Sequence, residues 1–273
     1  MQTIDILELA TILRDAAKAE VVPRFRRLDP ETIHTKSGPT DLVTEGDTAA
    51  ERVITAQIAR RWPGALVIGE EGVAADPALL DRMSDAPLAI TIDPIDGTAN
   101  YAAGLPLFAV MASVVANGEA IAGILYDPMG DDWVLAERGG GAWLHRPDGT
   151  SVRVKSADPV PVAQTVAHVS VSFLPKAVKP QILANLSKLS IAANYRCAGH
   201  DYRTMASGHC HALLFNKLLP WDHVPGTLIC AEAGAHVARF DGSPYLPHHR
   251  DGGLLLAADR DSWSVLRREV FTL

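Results

Sequence analysis

Leu88-Ala89-Ile90-Thr91-Ile92-Asp93-Pro94-Ile95-Asp96-Gly97-Thr98 carries an apolar, β-rich run straight into two acids, a proline and a glycine. Isoleucine and threonine favour a strand, and Pro94 and Gly97 end it in a tight turn. Asp93 therefore stands at the strand's end and Asp96 in the turn beyond it. Upstream, Leu66-Val67-Ile68 is a second short strand that delivers Gly69-Glu70-Glu71 at its own end. Strand ends are where open sheets present ligand sites.

Acids at the ends of buried strands lose hydration that only cations restore, so several converging carboxylates imply a bound metal more than a salt bridge. Ligands that are all oxygen suit magnesium, calcium or manganese. Gly97 and Thr98 offer backbone amides where a helix can begin, which favours an anion such as phosphate. Far downstream, Trp221-Asp222 opens a helical pattern containing Thr227-Leu228-Ile229-Cys230-Ala231, which puts Asp222 at a helix N-terminus. Taken singly, Glu70-Glu71 reads as a solvated pair, Asp93 and Asp96 as turn formers, Asp47 and Asp222 as helix caps, and Lys36 as a surface lysine. The combination favours the metal centre.

The rest of the chain reads as alternating layers. Ile4, Leu7, Ile12, Leu13, Ala16 and Ala17 recur at helical spacing, so residues 4 to 27 are expected to form a helix that ends near Pro30. A loop and short strand occupy 31 to 46, and a second helix starts at Thr48 behind Asp47 and stops at Pro63-Gly64. Residues 107 to 154 read as an antiparallel meander with turns at Asn117-Gly118, Asp127-Pro128, Gly139-Gly140-Gly141 and Pro147-Asp148-Gly149. Beyond Ser156, strands near 165–171, 191–197 and 235–239 alternate with helices near 175–188, 200–209 and 222–233, as in a layered α/β segment. Two domains are expected, 1–155 with most of the metal ligands and 156–273 supplying Asp222 and the substrate pocket.

Composition narrows the function. With 48% hydrophobic residues, a net charge of -7 and no basic block, the chain has a core of its own and lacks the positive stripe of a nucleic-acid binder. No apolar run reaches the ~20 residues of a membrane span, and the N-terminus does not read as a signal segment, so a cytoplasmic protein is expected. Cys197, Cys210 and Cys230 are read as buried free thiols. His209-x-His211 and His248-His249 lack further ligands at zinc spacing, and Gly139-Gly140-Gly141 lacks the lysine of a phosphate-binding loop. Small molecules are the expected partners.

Gly69-Glu70-Glu71, Asp93-Pro94-Ile95-Asp96-Gly97-Thr98-Ala99-Asn100 and Trp221-Asp222-x-x-x-Gly226, continuing to Glu232-Ala233-Gly234, resemble the three signatures of the inositol monophosphatase family. Thr35-Lys36-Ser37-Gly38-Pro39-Thr40-Asp41-Leu42-Val43-Thr44-x-x-Asp47 matches a further family segment. The resemblance implies an α/β (α+β) protein with the five-layered αβαβα sugar-phosphatase fold, magnesium dependence with two or three ions, lithium sensitivity and a homodimer. It makes Glu70, Asp93, the Ile95 carbonyl, Asp96 and Asp222 metal ligands. Asp47, Glu70 and Thr98 become catalytic, Gly97 and Thr98 bind phosphate, and Lys36 lies near the site. Gly199, His200, Asp201 and Arg203 fall where family members line the substrate pocket.

Two departures stand out. Ala99 replaces a frequent second threonine, and the stretch Ala212 to Pro220 lacks the glutamate with which inositol-cleaving members hold ring hydroxyls. The expected activity is hydrolysis of a small sugar or polyol phosphate by direct attack of an activated water, without a phosphoenzyme. Histidinol phosphate and 3′-phosphonucleotides are alternative substrates, and a regulatory protein of this fold is an alternative role. A haloacid-dehalogenase-type phosphatase is disfavoured because Asp93 and Asp96 are spaced i, i+3, where that chemistry requires i, i+2.

Overall fold

The structure is a computed structural model that describes residues 4–38 and 41–273. Helix α1 (Ile6–Ala16) is capped by Asp5, whose carboxylate accepts the Leu7 and Glu8 amides. It does not run on to residue 27. It widens into one π-type turn over Ala17–Val21 and tightens over Val22–Arg24, because Pro23 supplies no N–H and disfavours helix at the residue before it. The hairpin β1 (His34–Gly38) and β2 (Asp41–Val43) follows. Pro39 and Thr40 of the Lys36 motif lie outside the described residues.

Helix α2 (Glu45–Arg61) starts earlier than expected. Thr44 is its N-cap and Asp47 sits three residues in, completing a capping box, so Asp47 points back at the helix start instead of preceding it. Strand β3 (Leu66–Gly69), helices α3 (Glu70–Ala75) and α4 (Ala78–Met83), strand β4 (Leu88–Asp96) and the short helix α5 (Thr98–Ala102) then lead into the meander β5 (Ala109–Ala116), β6 (Glu119–Asp127), β7 (Asp132–Glu137), β8 (Ala142–His145) and β9 (Ser151–Arg153). These seven strands form one sheet in chain order, with only β3 and β4 parallel. Strand β4 extends past Asp93 to Asp96, and its register against β5 shifts between those two residues, where Pro94 cannot donate to the ladder.

The second half contributes β10 (Val166–Val169), α6 (Lys179–Asn185), β11 (Ile191–Ala193), α7 (Ala198–Ala206), β12 (Ala212–Phe215), α8 (Pro220–Glu232), β13 (His236–Arg239), β14 (Leu254–Ala257) and α9 (Arg260–Glu269). Its sheet runs β11-β10-β12-β14-β13, with the first three strands parallel. Strands β12 and β14 and helix α9 are additions to the reading from sequence. Leu254-Leu255-Leu256-Ala257 is a four-residue run, too short for periodicity to separate strand from helix.

Side-chain alternation sorts the core into layers. Ile90, Ile92, Val110, Val114, Ile124 and Tyr126 turn one face of the first sheet onto α1 and α2. Their neighbours Ala109, Met111 and Leu125 turn the other way, onto Tyr202 and Met205 of α7 and Ile229 of α8, which also cover Leu213 and Leu256 of the second sheet. The outer face of that sheet, with Leu214 and Leu255, packs on Ile182 of α6 and Trp263 and Leu266 of α9. Helices, sheet, helices, sheet, helices give the αβαβα order. Among the described residues no helix is long and apolar enough to cross a membrane, and Cys197, Cys210 and Cys230 are buried free thiols.

Close approach in the middle layer depends on glycine. A Cβ on Gly123 of β6 would stand 2.6 Å from the Pro225 carbonyl oxygen, and one on Gly226 of α8 would overlap the Tyr202 ring. Tyr202 is fully buried and its hydroxyl lies 2.9 Å from His223 Nδ1, so it has nowhere to retreat. Gly226→Ala is therefore expected to destabilise the fold by about 1–3 kcal/mol, the usual cost of overpacking, seen as a lower urea midpoint.

Candidate active site

Strand β4 is buried along its whole length, so Asp93 and Asp96 are carried into the interior by the strand that bears them. Asp93 is 1% exposed and Asp96 9%. The register shift turns both toward a cavity of about 500 Å³ that Glu70, from the end of β3, and Asp222, from the first turn of α8, also line. Ile95, Gly97 and Thr98 complete this part of its wall. Gly97 has φ 88, and a Cβ there would press on the Leu107 carbonyl oxygen at 3.0 Å and Cys197 Cβ at 3.1 Å, so only glycine allows the turn.

The acids strain one another. Burial pushes the Asp93 carboxyl well above the ordinary carboxylate range, and the charges of Glu70, Asp96 and Asp222 push further. Asp222 is raised likewise, by burial first and then by Asp96 and Glu70, and it is hydrogen-bonded to Asp93. A bond between two carboxyls needs a proton that both anions cannot supply. Asp96 is raised to about 6 by burial, although the Gly199 amide at 2.5 Å and the Cys197 thiol at 3.0 Å stabilise its anion. A Cβ on Gly199 would lie 2.7 Å from Ala109 Cβ, so glycine is what lets that amide reach Asp96.

Around this centre stands a set of positioning contacts. Asp47 is 1% exposed and takes the Thr44 amide and hydroxyl on Oδ2, at 2.8 and 2.6 Å. Its Oδ1 is 3.1 Å from the Thr98 hydroxyl, which also lies 3.0 Å from the Ile95 carbonyl oxygen. Burial raises Asp47 to about 7 against the pull of Thr44. Lys36 Nζ bridges Glu70 at 2.8 Å and Glu71 at 2.6 Å. Burial works against the lysine's charge, and the two acids, Glu70 foremost, override it.

Two supports went unread in the sequence. Glu51, 7% exposed on α2, accepts the Glu71 and Gly72 amides at 2.8 and 2.6 Å and so fixes the start of α3 on which Glu70 sits. Asn100 donates both amide hydrogens, to the Leu107 and Tyr195 carbonyl oxygens at 2.9 and 2.7 Å. It thereby joins the turn after β4 to the second half of the chain.

The residues expected to bind substrate separate on α7. Asp201 lines the cavity and is held by His168 Nδ1 at 2.8 Å, and Gly199 serves Asp96. His200 and Arg203 are not in the lining. Each helical residue is rotated by about 100° from the last, so 198 and 201 share one face and 200 and 203 fall on another. His200 Nε2 lies 3.2 Å from the Phe108 carbonyl oxygen, while Arg203 binds Asp132 and the Leu125 carbonyl. Arg196 and Lys217, with Ser170 and Asn194, line the cavity in their place.

An oxygen-only donor set of Glu70, Asp93, Ile95, Asp96 and Asp222 suits a hard divalent cation, and the crowding of Asp93 and Asp222 marks where positive charge is wanted. Among the described residues no three acidic, histidine or cysteine side chains stand as a finished cage. The acids fit such an ion by their chemistry, and closing on it requires them to adjust.

A mixed αβαβα sandwich with clustered acids at the strand ends is the architecture of a sugar-phosphatase-type hydrolase. The inositol monophosphatase family matches residues 5–268, and the chain belongs to that family of phosphoric monoester hydrolases. An inositol-1-monophosphatase from Mesorhizobium japonicum is 30% identical over 75% of this chain and 74% of its own. A Vibrio cholerae protein named Nus factor SuhB is 29% identical over 85% of this chain and 84% of its own. Among solved structures, an IMPase from Thermotoga maritima superposes with a TM-score of 0.81 at 23% identity, over 98% of this chain and 99% of that one.

A pH dependence follows for the protein without divalent cations. Asp96, Asp47 and Glu51 keep their protons in the folded state up to about 6, 7 and 7, whereas the unfolded chain releases them near the ordinary carboxyl values of 3.8, 3.8 and 4.5. At these three groups the folded state binds more protons across that window, so their contribution to stability is fully present below about pH 4 and is lost as pH rises to about 7. Metal-free thermal unfolding should show Tm falling between pH 4.5 and about 7.5, with a divalent cation restoring it at the upper end. A flat profile would contradict this reading.

Proposed function

We propose that the chain is a magnesium-dependent phosphomonoesterase acting on a small phosphorylated alcohol of the sugar or polyol kind. What carries the reading is the approach of Asp222, which lines the cavity, to the buried Asp93 beside Glu70 and Asp96, next to a hydroxyl held by Asp47. A merely structural acid cluster would be paired with cations, and Lys36 reaches only Glu70 and Glu71. Magnesium on Glu70, Asp93, the Ile95 carbonyl, Asp96 and Asp222 would neutralise the phosphate and lower the pKa of the attacking water.

The protein's own groups do the positioning. Thr98 donates its proton to Asp47, which leaves the hydroxyl's lone pairs free to accept from a water and fix its direction toward phosphorus. Glu70, steadied by Lys36, takes the water's proton. The amides of Gly97 and Thr98 hold phosphate oxygens as charge builds on them. Since the water attacks directly, no phosphoenzyme forms. The same reading includes two or three magnesium ions, inhibition by lithium, a homodimer, a cytoplasmic location and the division of the chain near residue 155.

Inositol phosphate is a poor fit to the stretch Ala212 to Pro220, β12 and the turn into α8, which is without an acid. Histidinol phosphate and 3′-phosphonucleotides remain alternatives of the same chemistry. The Vibrio cholerae relative's name keeps a regulatory role as the second reading. Complete retention of the acids favours catalysis over it.

Phosphate release with magnesium from a panel of sugar, polyol and nucleotide phosphates tests the proposal. Asp93→Asn is expected to lower turnover more than about 100-fold with the circular dichroism spectrum unchanged. Thr98→Ala is expected to lower kcat by about 100-fold, with a smaller effect on KM. A folded Asp93→Asn enzyme with near wild-type magnesium-dependent activity would falsify the mechanism.

A further inference from the structure

We infer that the alcohol part of the substrate carries a second anionic group, received by Arg196 and Lys217. The inference rests on the phosphatase reading above and adds to it the chemical class of the leaving group.

Topology brings these two cations together. Strands β10, β11 and β12 are parallel, so the segments that follow them leave the sheet at one edge. Ser170 follows β10, Asn194 and Arg196 follow β11, and Lys217 follows β12, and all line the cavity that holds the acids. Among the described residues neither Arg196 nor Lys217 forms an ion pair within 4.0 Å, in a chain of net charge -7, although the charge of Lys217 is felt at Asp222. Asp201, the acid in this part of the wall, is engaged by His168.

Contacts hold the backbone beneath Arg196 and the ammonium of Lys217. Arg196 has a left-handed backbone with φ 56, a conformation that non-glycine residues keep only when their surroundings impose it. Here Asn194 Oδ1 accepts the Arg196 amide at 2.7 Å, and Asn194 Nδ2 donates to the Val169 carbonyl at 3.1 Å. Asn100 secures the preceding Tyr195 carbonyl at 2.7 Å. Lys217 Nζ sits 5.3 Å from the centre of the Phe173 ring, while Asn216 Nδ2 holds the Phe173 carbonyl at 2.7 Å. A cation fixed over an aromatic face and another on a constrained corner suit a carboxylate or a phosphate better than they suit neutral hydroxyls.

Matched substrate pairs separate the two sources of the anion. Fructose 1,6-bisphosphate against fructose 1-phosphate tests a phosphate, and 3-phosphoglycerate against glycerol 3-phosphate tests a carboxylate. Each is assayed by phosphate release from the full-length protein with magnesium. In at least one pair the wild type is expected to favour the doubly anionic member by tenfold or more in kcat/KM. Arg196→Ala and Lys217→Ala should each cut that selectivity ratio at least fivefold, with Lys217→Arg restoring most of it. Rising ionic strength should erode the ratio as well.

A wild type that hydrolyses the singly anionic members equally well, or a ratio that both variants leave within twofold, overturns the inference while the phosphatase reading stands. A uniform loss on all four compounds overturns it too, since that would assign Lys217 to the charge balance around Asp222. No hydrolysis of any member of this panel or of the wider one overturns both readings together.

Discussion

The structure turns on an electrostatic conflict that the fold creates and does not resolve. Strand β4 is covered on both faces, and its end delivers Asp93 and Asp96 into the space where Glu70 and Asp222 already stand. Like charges this close cannot all be ionised, so Asp93 and Asp222 hold protons well into the range where free acids have lost them. The rest of the site limits the damage. Lys36 shares its charge with Glu70, the Gly199 amide and Cys197 thiol feed hydrogen bonds to Asp96, and Thr44 saturates one oxygen of Asp47. These partners reach the margins of the cluster, and at its centre the charge of Lys217 only partly offsets the crowding of Asp93 and Asp222.

The layered architecture explains how residues so far apart in the chain meet. Helix α8 lies between the two sheets with its first turn beside the end of β4, and its approach is possible because Gly123 and Gly226 carry no side chain. The acids that repel one another are thus held together by the apolar packing of the elements that carry them. Energetically, burial of the middle layer opposes a local charge repulsion at its edge, a common arrangement at sites where function and stability pull in different directions.

Much of this was legible in the sequence wherever the signal was local. A β-rich run ending in Asp-Pro-x-Asp-Gly-Thr announces both the strand and its turn, and Asp222 at the head of an apolar helical pattern is recoverable in the same way. Less visible was anything that depends on which way a helix faces. His200 and Arg203 neighbour Asp201 in the chain but point elsewhere, toward Phe108 and Asp132. Glu51 shows the opposite failure, since nothing in Glu51-Arg52-Val53-Ile54 distinguishes a buried acceptor of two amides from a surface glutamate. The start of α2 was misplaced because a capping box puts its acid three residues inside the helix, and Asp47 on its own looks like the cap.

Asn100 has a consequence that reaches beyond local support. Its two amide hydrogens tie the loop leading into β5 to the corner that carries Arg196, across the divide between the two sheets. The reactive end of the cavity and its far wall therefore do not drift independently as side chains and loops fluctuate. The distance between them is held by this amide together with the Gly199 and Cys197 bonds to Asp96, so the cavity measures the length of what enters it. Evolution along this lineage could exchange the groups on the wall and alter which chemistry is recognised, while the gauge against which every candidate is compared stays the same.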